Sequence, residues 1–488
     1  MRLTKLFENI PHRYASLKKD VDIQKIEYNS RSVEAGDLFV CIVGDVTDGH
    51  RFAPEAAARG AVALLVEREL DIDIPQIVVY DTRKAMAEAA ACFYDYPSRK
   101  MKMVGITGTN GKTTGTYMLK GIAEAAGQKV GLFGTITNLI GEIVIPSRHT
   151  TPESVDLQAV LAKMAKENVE VCFMEVSSHA LIQSRTYGIE FDVGIFTNLT
   201  QDHLDYHKTL ENYRNAKRLL FDQCKAAVVN VDDAQGDWMV QRKAYPVLRI
   251  GIRENADVSA KDIDITTDGV RFDLVLPDQE YIHVSLQIPG LFSVYNAMTS
   301  AGAAYLLGYS PQHIKEGLEA LNHVSGRLEK LDTGKQDFNV MLDYAHTPDA
   351  LENVLKTIRG FAQARVLTLF GCGGDRDAAK RPMMGEVAGR YSDLCIITSD
   401  NPRNEDSMQI ISMIEDGVKK SGCDYVVIEN REQAIQFALE QVQADDIVLL
   451  AGKGHETYQE TKGIRYPFNE KEIVAQIIAA MDLRNEGK

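Results

Sequence analysis

Short, uninterrupted apolar runs recur along this chain. Each gives way to a polar or glycine-rich loop and then to a stretch in which apolar residues return at helical spacing. Such runs belong to strands buried on both faces, and their regular exchange with amphipathic helices marks parallel α/β architecture. Strands are predicted at residues 37–42, 61–66 and 76–80, followed by an alanine-rich helix at 82–94. A second series runs through 103–107, 171–176, 193–197 and 226–230, with helices at 114–126, 154–165 and 293–307. A third comprises 339–343, 365–370, 394–398 and 446–451. Residues 262–288 behave differently: apolar and polar positions alternate around Asp268-Gly269, which predicts antiparallel hairpins on the edge. Turn chemistry and charge at Tyr96-Pro97-Ser98-Arg99-Lys100 mark one domain boundary, and the start of the third series marks another. In open α/β sheets ligands bind beyond the carboxyl ends of the strands, so those loops are where function is expected.

Composition narrows the field. Of 488 residues, 45% are hydrophobic and 25% charged, which is ordinary for a globular protein. The formal net charge of −15 argues against nucleic acid as a partner, because phosphate backbones demand a basic face. No apolar run approaches the ~20 residues of a membrane span, and the N-terminus lacks the apolar core of a signal peptide. A cytoplasmic protein without membrane insertion is expected. The seven cysteines are scattered without a CxxC pair, as free thiols in a reducing compartment would be.

The strand at 103–107 runs directly into Gly108-Thr109-Asn110-Gly111-Lys112-Thr113-Thr114 and then into a helix. Strand, glycine turn, Lys-Thr and helix, in that order, make a phosphate-binding loop. The glycines let successive N–H groups turn inward on phosphate oxygens, and the helix adds its positive end. Lys112 neutralises the β- and γ-phosphates of ATP, and Thr113 offers a hydroxyl to Mg2+. The strict pattern wants glycine five residues before Gly111, where this chain has Ile106.

Other strand-end residues admit two readings each. Glu175, closing the run at 171–176, suits a Mg2+ ligand or a structural carboxylate. His203, in Asn198-Leu199-Thr200-Gln201-Asp202-His203, is a ligand or a satisfied loop histidine. Lys217, on a helix, reads by itself as solvated surface. Thr150-Thr151-Pro152-Glu153 precedes a helix, and its hydroxyls and free N–H groups suit an anionic substrate.

The variant loop Gly-Thr-Asn-Gly-Lys-Thr-Thr resembles that of the Mur ligases, and the similarity to that family covers essentially the whole chain. The resemblance implies an α/β fold of three domains. Residues 1–98 would form an N-terminal α/β domain binding UDP, 99–330 a central P-loop parallel-sheet ATPase-like domain, and 331–488 a C-terminal Rossmann-like domain for an amino acid. It implies that Gly108 to Thr114 hold ATP, that Asn296 contacts adenine, and that Arg327 and Asp343 close over the nucleotide; the other reading of that pair is an interdomain salt bridge. It makes Thr113, Glu175, His203 and Lys217 the metal set, with Lys217 carrying a carbamate, a modification that needs a lysine whose pKa is lowered. Catalysis is assigned to Lys112, Glu175, His203 and Lys217.

The same resemblance places the UDP-muramoyl dipeptide on Ser30, Thr150, Thr151, Ser177, Gln183 and Arg185. Asparagine is expected before the threonine pair, and His149 stands there instead. Three loops of the third series should converge: Gly371 to Asp377, Ser399 to Arg403, and Gly452 to Glu456. Asp400-Asn401-Pro402-Arg403 matches the signature of members that add meso-2,6-diaminopimelate rather than L-lysine. Arg403 offers a fork for the extra carboxylate, Arg376 a second positive group and Glu456 an acceptor for the ammonium, with Gly452 beside them.

The expected activity is an ATP-dependent carboxylate–amine ligase of peptidoglycan precursor synthesis. It would add meso-diaminopimelate to the D-glutamate of UDP-N-acetylmuramoyl-L-alanyl-D-glutamate through an acyl-phosphate, with Mg2+ as cofactor, as a monomer acting on small molecules. Two other classes use the same phosphate loop: a kinase or NTPase switch, and a nucleotide-sensing binding protein. Within the superfamily the nearest rival is folylpolyglutamate synthetase, which Ser30 and Asp400-Asn401-Pro402-Arg403 disfavour.

Overall fold

The apolar runs become the centres of three large sheets in the computed structural model, which describes all residues except 17–18, 45–46, 148, 254, 267, 278–280 and 487–488. The first sheet has the order Tyr14–Ser16, Gln76–Val78, Ala63–Val66, Asp37–Val40, Lys25–Glu27. Its four last-named strands are parallel and Tyr14–Ser16 is antiparallel. The helix Thr82–Phe93 covers it, capped by Asp81, whose carboxylate accepts from the Arg83 and Lys84 N–H groups.

The second sheet has eight strands, and Lys102–Thr107 lies fourth, between Val193–Phe196 and Val171–Glu175. Both neighbours run parallel to it, with Ile106 opposite Glu175 and Thr107 opposite Phe196. That register sets the phosphate loop, Glu175 and the chain after Phe196 side by side at one edge. The helices Lys112–Ala125 and Leu291–Leu306 bury one face of this sheet, and Leu157, Leu161 and Met164 lie in the core on the other. Ile106, where the strict loop pattern wants glycine, is a buried core residue of the strand.

The hairpins expected on the edge do not join the large sheet. Ser259–Thr266, Gly269–Val275 and Ile282–Leu286 form their own three-stranded antiparallel sheet. The alternation explains this: Ala260, Val270, Phe272, Leu274, Val284 and Leu286 share one apolar face, which packs into the core of the helix Leu291–Leu306. That helix begins two residues earlier than predicted, and Lys112–Ala125 likewise starts at Lys112 rather than Thr114.

The third sheet is ordered Glu329–Leu331, Asn339–Asp343, Ile447–Ala451, Val366–Phe370, Leu394–Ile397, Asp424–Val427, parallel except for the first strand. Glu329–Leu331 straddles the boundary expected at residue 330 and pairs into this sheet. A small hairpin, Tyr458–Thr461 with Ile464–Pro467, follows the last large strand.

The units touch through polar bonds. Tyr28 Oη donates to Asp156 at 2.6 Å, and Arg83 pairs with Glu153 at 3.3 Å, tying the first unit to the helix Ser154–Lys166. Asn110 Nδ2 donates to Asp349 Oδ2 at 2.9 Å and Arg327 to Thr113 Oγ1 at 3.1 Å, tying the third to the phosphate loop. Among the described residues, no helix is long and apolar enough to cross a membrane.

Candidate active site

The phosphate loop is held open by its neighbours. Thr197 Oγ1 donates to the Asn110 carbonyl at 2.6 Å, and Asn110 N–H donates to Asn198 Oδ1 at 2.9 Å. Gly111 has φ +87°, and a Cβ there would stand 2.3 Å from Asn296 Oδ1. The loop therefore needs glycine at this position, and the Asn296 side chain lies against the loop. Lys112 Nζ donates to the carbonyls of Gly108 and Thr109, both at 2.9 Å.

Lys217 is not a surface lysine. It is 1% exposed, and its Nζ donates to the same Gly108 carbonyl at 2.7 Å. The Tyr213 ring lies 4.3 Å from that nitrogen. Burial, and then the nearby Lys112, hold the Lys217 amine well below its ordinary pKa. Two ammonium groups on one carbonyl repel each other, so the geometry favours a neutral amine at Lys217, which is the form that reacts with carbon dioxide. Burial also lowers Lys112, opposed by Glu175.

Glu175 is buried, and its two oxygens accept from the N–H and hydroxyl of Thr135 at 2.8 and 3.0 Å. Thr135 Oγ1 also lies 3.1 Å from Thr150 Oγ1. His203 adopts a left-handed backbone, φ +54°, and its ring lies 3.3 Å from the Asp202 carboxylate. Burial pushes His203 down to about 3, despite the opposing pull of Asp202. The ring is edge-on to His179 at 4.9 Å. Among the described residues no three His, Cys, Asp or Glu side chains could hold a metal by themselves. The residue types nevertheless fit Mg2+: a hydroxyl, a carboxylate, an imidazole and a buried lysine whose amine is held below its ordinary pKa suit an ion that shares substrate phosphates.

Thr151, Ser177, Gln183 and Arg185 are brought together. Thr151 Oγ1 donates to the Glu175 carbonyl at 2.8 Å and accepts from Ser177 N–H at 3.1 Å. Arg185 donates to the Thr151 carbonyl at 2.8 Å and to Gln183 Oε1 at 2.7 Å, and it pairs with Glu153 at 3.0 Å. Ser30 lies apart from this group, with its hydroxyl 3.4 Å from Glu55.

On the third unit, Asp343 is buried and accepts from the Leu328 and Ala345 N–H groups at 2.6 and 2.7 Å. Burial raises its pKa. The same turn places Arg327 on Thr113 Oγ1 at 3.1 Å, across to the phosphate loop.

The three strand-end loops do converge. Gly374 N–H donates to the Asn401 carbonyl at 2.9 Å, and Arg403 Nη1 donates to the Gly374 carbonyl at 2.7 Å. Arg403 has φ +51° and bridges to the small hairpin through Glu460 and Lys462. Gly452 sits where a Cβ would come 2.6 Å from Asp400 Oδ2. Asn401 Nδ2 donates to Glu456 Oε2 at 2.8 Å, and the Pro402 carbonyl lies against Gly374. Arg376 is exposed and donates to the carbonyl of Asp375 at 2.9 Å.

Sequence reasoning missed Thr135, Asp349 and Lys453. Thr135 follows the short strand Val130–Phe133, whose Gly134-Thr135 ending resembles the other strand-end loops. Asp349 follows Thr347-Pro348 at a helix start, a position that carries free N–H groups and favours acids. Its Oδ2 accepts from Asn110, from Thr200 at 3.1 Å and from Asn353 at 3.2 Å.

A phosphate loop facing a second α/β unit that presents its own strand-end loops defines a nucleotide-driven, multidomain enzyme. Comparison with known proteins agrees. The family models for the Mur ligase middle domain, the Mur ligase glutamate ligase domain and the Mur ligase family catalytic domain match residues 106–304, 326–454 and 22–99. The chain is 46% identical over 484 residues to UDP-N-acetylmuramoyl-L-alanyl-D-glutamate--2,6-diaminopimelate ligase of Caldanaerobacter subterraneus subsp. tengcongensis, covering 98% of this chain and 99% of that one. It is 45% identical to the protein of the same name from Bacillus licheniformis, with the same coverage. A solved structure titled with that name superposes with a TM-score of 0.67 at 34% identity, covering 94% of this chain and 95% of the other. The chain belongs to the Mur ligase family, whose members are ATP-dependent, amide-bond-forming ligases.

Proposed function

We propose that this enzyme joins an amino group of meso-2,6-diaminopimelate to the γ-carboxyl of the D-glutamyl residue of UDP-N-acetylmuramoyl-L-alanyl-D-glutamate, with ATP as the driving co-substrate. The observation that carries the specificity is Arg403, held in a left-handed turn among three converging loops of the third unit. The relatives that share 44–46% identity over nearly their whole length carry names with this same reaction.

The γ-carboxylate oxygen attacks the γ-phosphorus of ATP, the bond to ADP breaks, and an acyl-phosphate forms. The amine then attacks the acyl carbon, loses a proton, and phosphate departs. The residues act by position and charge. Gly108 to Thr114 hold the phosphates, and Lys112 offsets the negative charge that builds on them. Thr150, Thr151, Ser177, Gln183 and Arg185 orient the dipeptide beside that loop, and Ser30 holds the uridine end. Asn296 contacts adenine, while Arg327 and Asp343 close from the third unit and exclude water. Arg376, Asp400 to Arg403, Gly452 and Glu456 hold diaminopimelate. Thr113, Glu175, His203 and Lys217, the last as N6-carboxylysine, are the residues that would hold Mg2+, which when bound supplies charge neutralisation at the phosphates.

The domains are assigned as 1–98 for UDP, 99–330 for ATP and 331–488 for the amino acid, although the turn carrying Arg327 and the edge strand Glu329–Leu331 pack with the last sheet and count with the third unit. A monomer working in the cytoplasm on small molecules is part of the same proposal. The test is the dependence of ADP release on diaminopimelate, with dipeptide and ATP present. ADP release should require the amine. Equal release without it would favour an NTPase and overturn the ligase reading.

A further inference from the structure

Beneath the three loops lies a cation that the proposed reaction leaves without a role. Lys453 is 0% exposed, although glycines flank it on both sides. Its Nζ donates to Asn401 Oδ1 at 3.0 Å and lies 3.3 Å from Glu456 Oε2 and 4.0 Å from Asp400 Oδ1. The Tyr458 and Phe468 rings stand 5.8 and 6.0 Å away. An ammonium buried alone is strongly unfavourable, so this one persists because three side-chain oxygens face it.

The network has a single orientation. Glu460 N–H donates to Asn401 Oδ1 at 2.9 Å, beside Lys453, which leaves Asn401 Nδ2 to face Glu456 Oε2 at 2.8 Å. The strand below is fixed as well. Arg431 and Glu470, both fully buried, pair at 2.8 Å, and Arg431 donates at 2.8 Å to the carbonyl of Ala451, where the strand ends and the Gly452-Lys453 loop begins. Lys453 therefore joins two of the three converging loops at once.

We propose that Lys453 is a positioning residue for the amino-acid substrate: it fixes Asn401 and the Glu456 carboxylate in one geometry and sets a buried positive charge beside both Glu456 and Asp400. The inference rests on the reading of these loops as the amino-acid site. Burial raises the Glu456 pKa, Asp400 adds to this, and Lys453 opposes it. For Asp400 burial also pushes upward, but Lys453 and Arg431 bring it below its ordinary value. Without Lys453, two buried carboxylates would share the pocket with no cation touching them. Glu456 would then take a proton or turn away, and in either state it receives an ammonium poorly.

The test uses the full-length enzyme with Lys453→Met, Lys453→Arg, Glu456→Gln and the double variant, measuring kcat and the KM for diaminopimelate and for ATP. Lys453→Met should raise the diaminopimelate KM by about ten- to a hundredfold while leaving the ATP KM within about twofold. Lys453→Arg should recover part of the loss, and the Lys453→Met/Glu456→Gln double variant should fall well short of the product of the single defects, since both act in large part through one carboxylate. An unchanged diaminopimelate KM, equal rises in both KM values, or multiplied defects in the double variant would overturn the proposal. If Lys453→Met does not fold, Lys453→Gln, which keeps a donor to Asn401 without the charge, carries the same comparison. Glu456→Gln separates the two levels: if it leaves the diaminopimelate KM unchanged, the site reading itself fails. If it raises that KM and Lys453→Met does not, only the role of Lys453 falls.

Discussion

At the residue scale, the Gly108 carbonyl is the point where the chemistry concentrates, because Lys112 and Lys217 both donate to it. A permanent second ammonium there would repel the first. The enzyme incubated with 13C-bicarbonate should therefore show a carbamate carbonyl resonance that disappears in Lys217→Met; its absence from the unmodified protein would contradict the carbamate assignment. Gly111→Ala puts a methyl 2.3 Å from Asn296 Oδ1 on a backbone at φ +87°. Left-handed strain of about 1–2 kcal/mol plus the clash should raise the ATP KM by at least about tenfold, measured by steady-state kinetics. Residues such as Lys112 and Arg403 were legible because each sits inside a contiguous motif. Thr135 and Asp349 act through partners far away in the chain, so no local pattern announced them, while Lys453 stands inside the Gly452 to Glu456 loop but its burial against Asn401 shows only in the fold. Lys217 is the intermediate case: by itself it reads as solvated surface, and the family resemblance, not the spacing, singled it out as the lysine to carry a carbamate.

At the scale of elements, a hydrogen-bonded latch joins the helix Pro348–Phe361 to the phosphate loop. Asp349 accepts from Asn110 and Thr200 across the two units, and burial raises its pKa. Asp349→Ala removes both bonds. Hydrogen bonds to a charged group contribute about 1.5–3 kcal/mol, so kcat/KM for ATP should fall about tenfold or more, with little change in the thermal midpoint. A variant with unaltered kinetics would show that the latch is incidental. Most central strands were legible because burial on both faces writes them as continuous apolar runs; the buried interior strand Val130–Phe133, four residues long and broken by Gly131, was not. The edges were not: Lys25–Glu27, Val247–Ile250 and Tyr458–Thr461 are short and partly exposed, and their polar residues mask the strand signal. The small antiparallel sheet was legible as hairpins, but its partner was not, because alternation reveals an apolar face and not what that face packs against.

At the scale of the whole molecule, folding buries a histidine that must stay neutral. Burial pushes His455 down to about 4, with Arg327 and Lys471 adding to the effect. Unfolded, it would titrate near 6.5, so the unfolded state binds more protons between about 4 and 6.5. Stability contributed by neutral His455 is thus complete above about 6.5 and is lost as pH falls towards 4. Chemical denaturation followed across this window should show a shallower decline for His455→Gln than for the unaltered enzyme; equal slopes would contradict it. Three sheets, three loop sets and one chain converge on a single reaction, and its most distinctive feature is the choice of amine. That choice is tested most directly by peptide-product formation from UDP-N-acetylmuramoyl-L-alanyl-D-glutamate, ATP and Mg2+ with a panel of amines, using the unaltered enzyme and Arg403→Ala. Product should form with meso-diaminopimelate and not with L-lysine, and loss of the Arg403 fork, about 1.5–3 kcal/mol, should lower kcat/KM for diaminopimelate by about ten- to a hundredfold. Product with lysine alone, or full diaminopimelate activity in Arg403→Ala, would contradict the assignment.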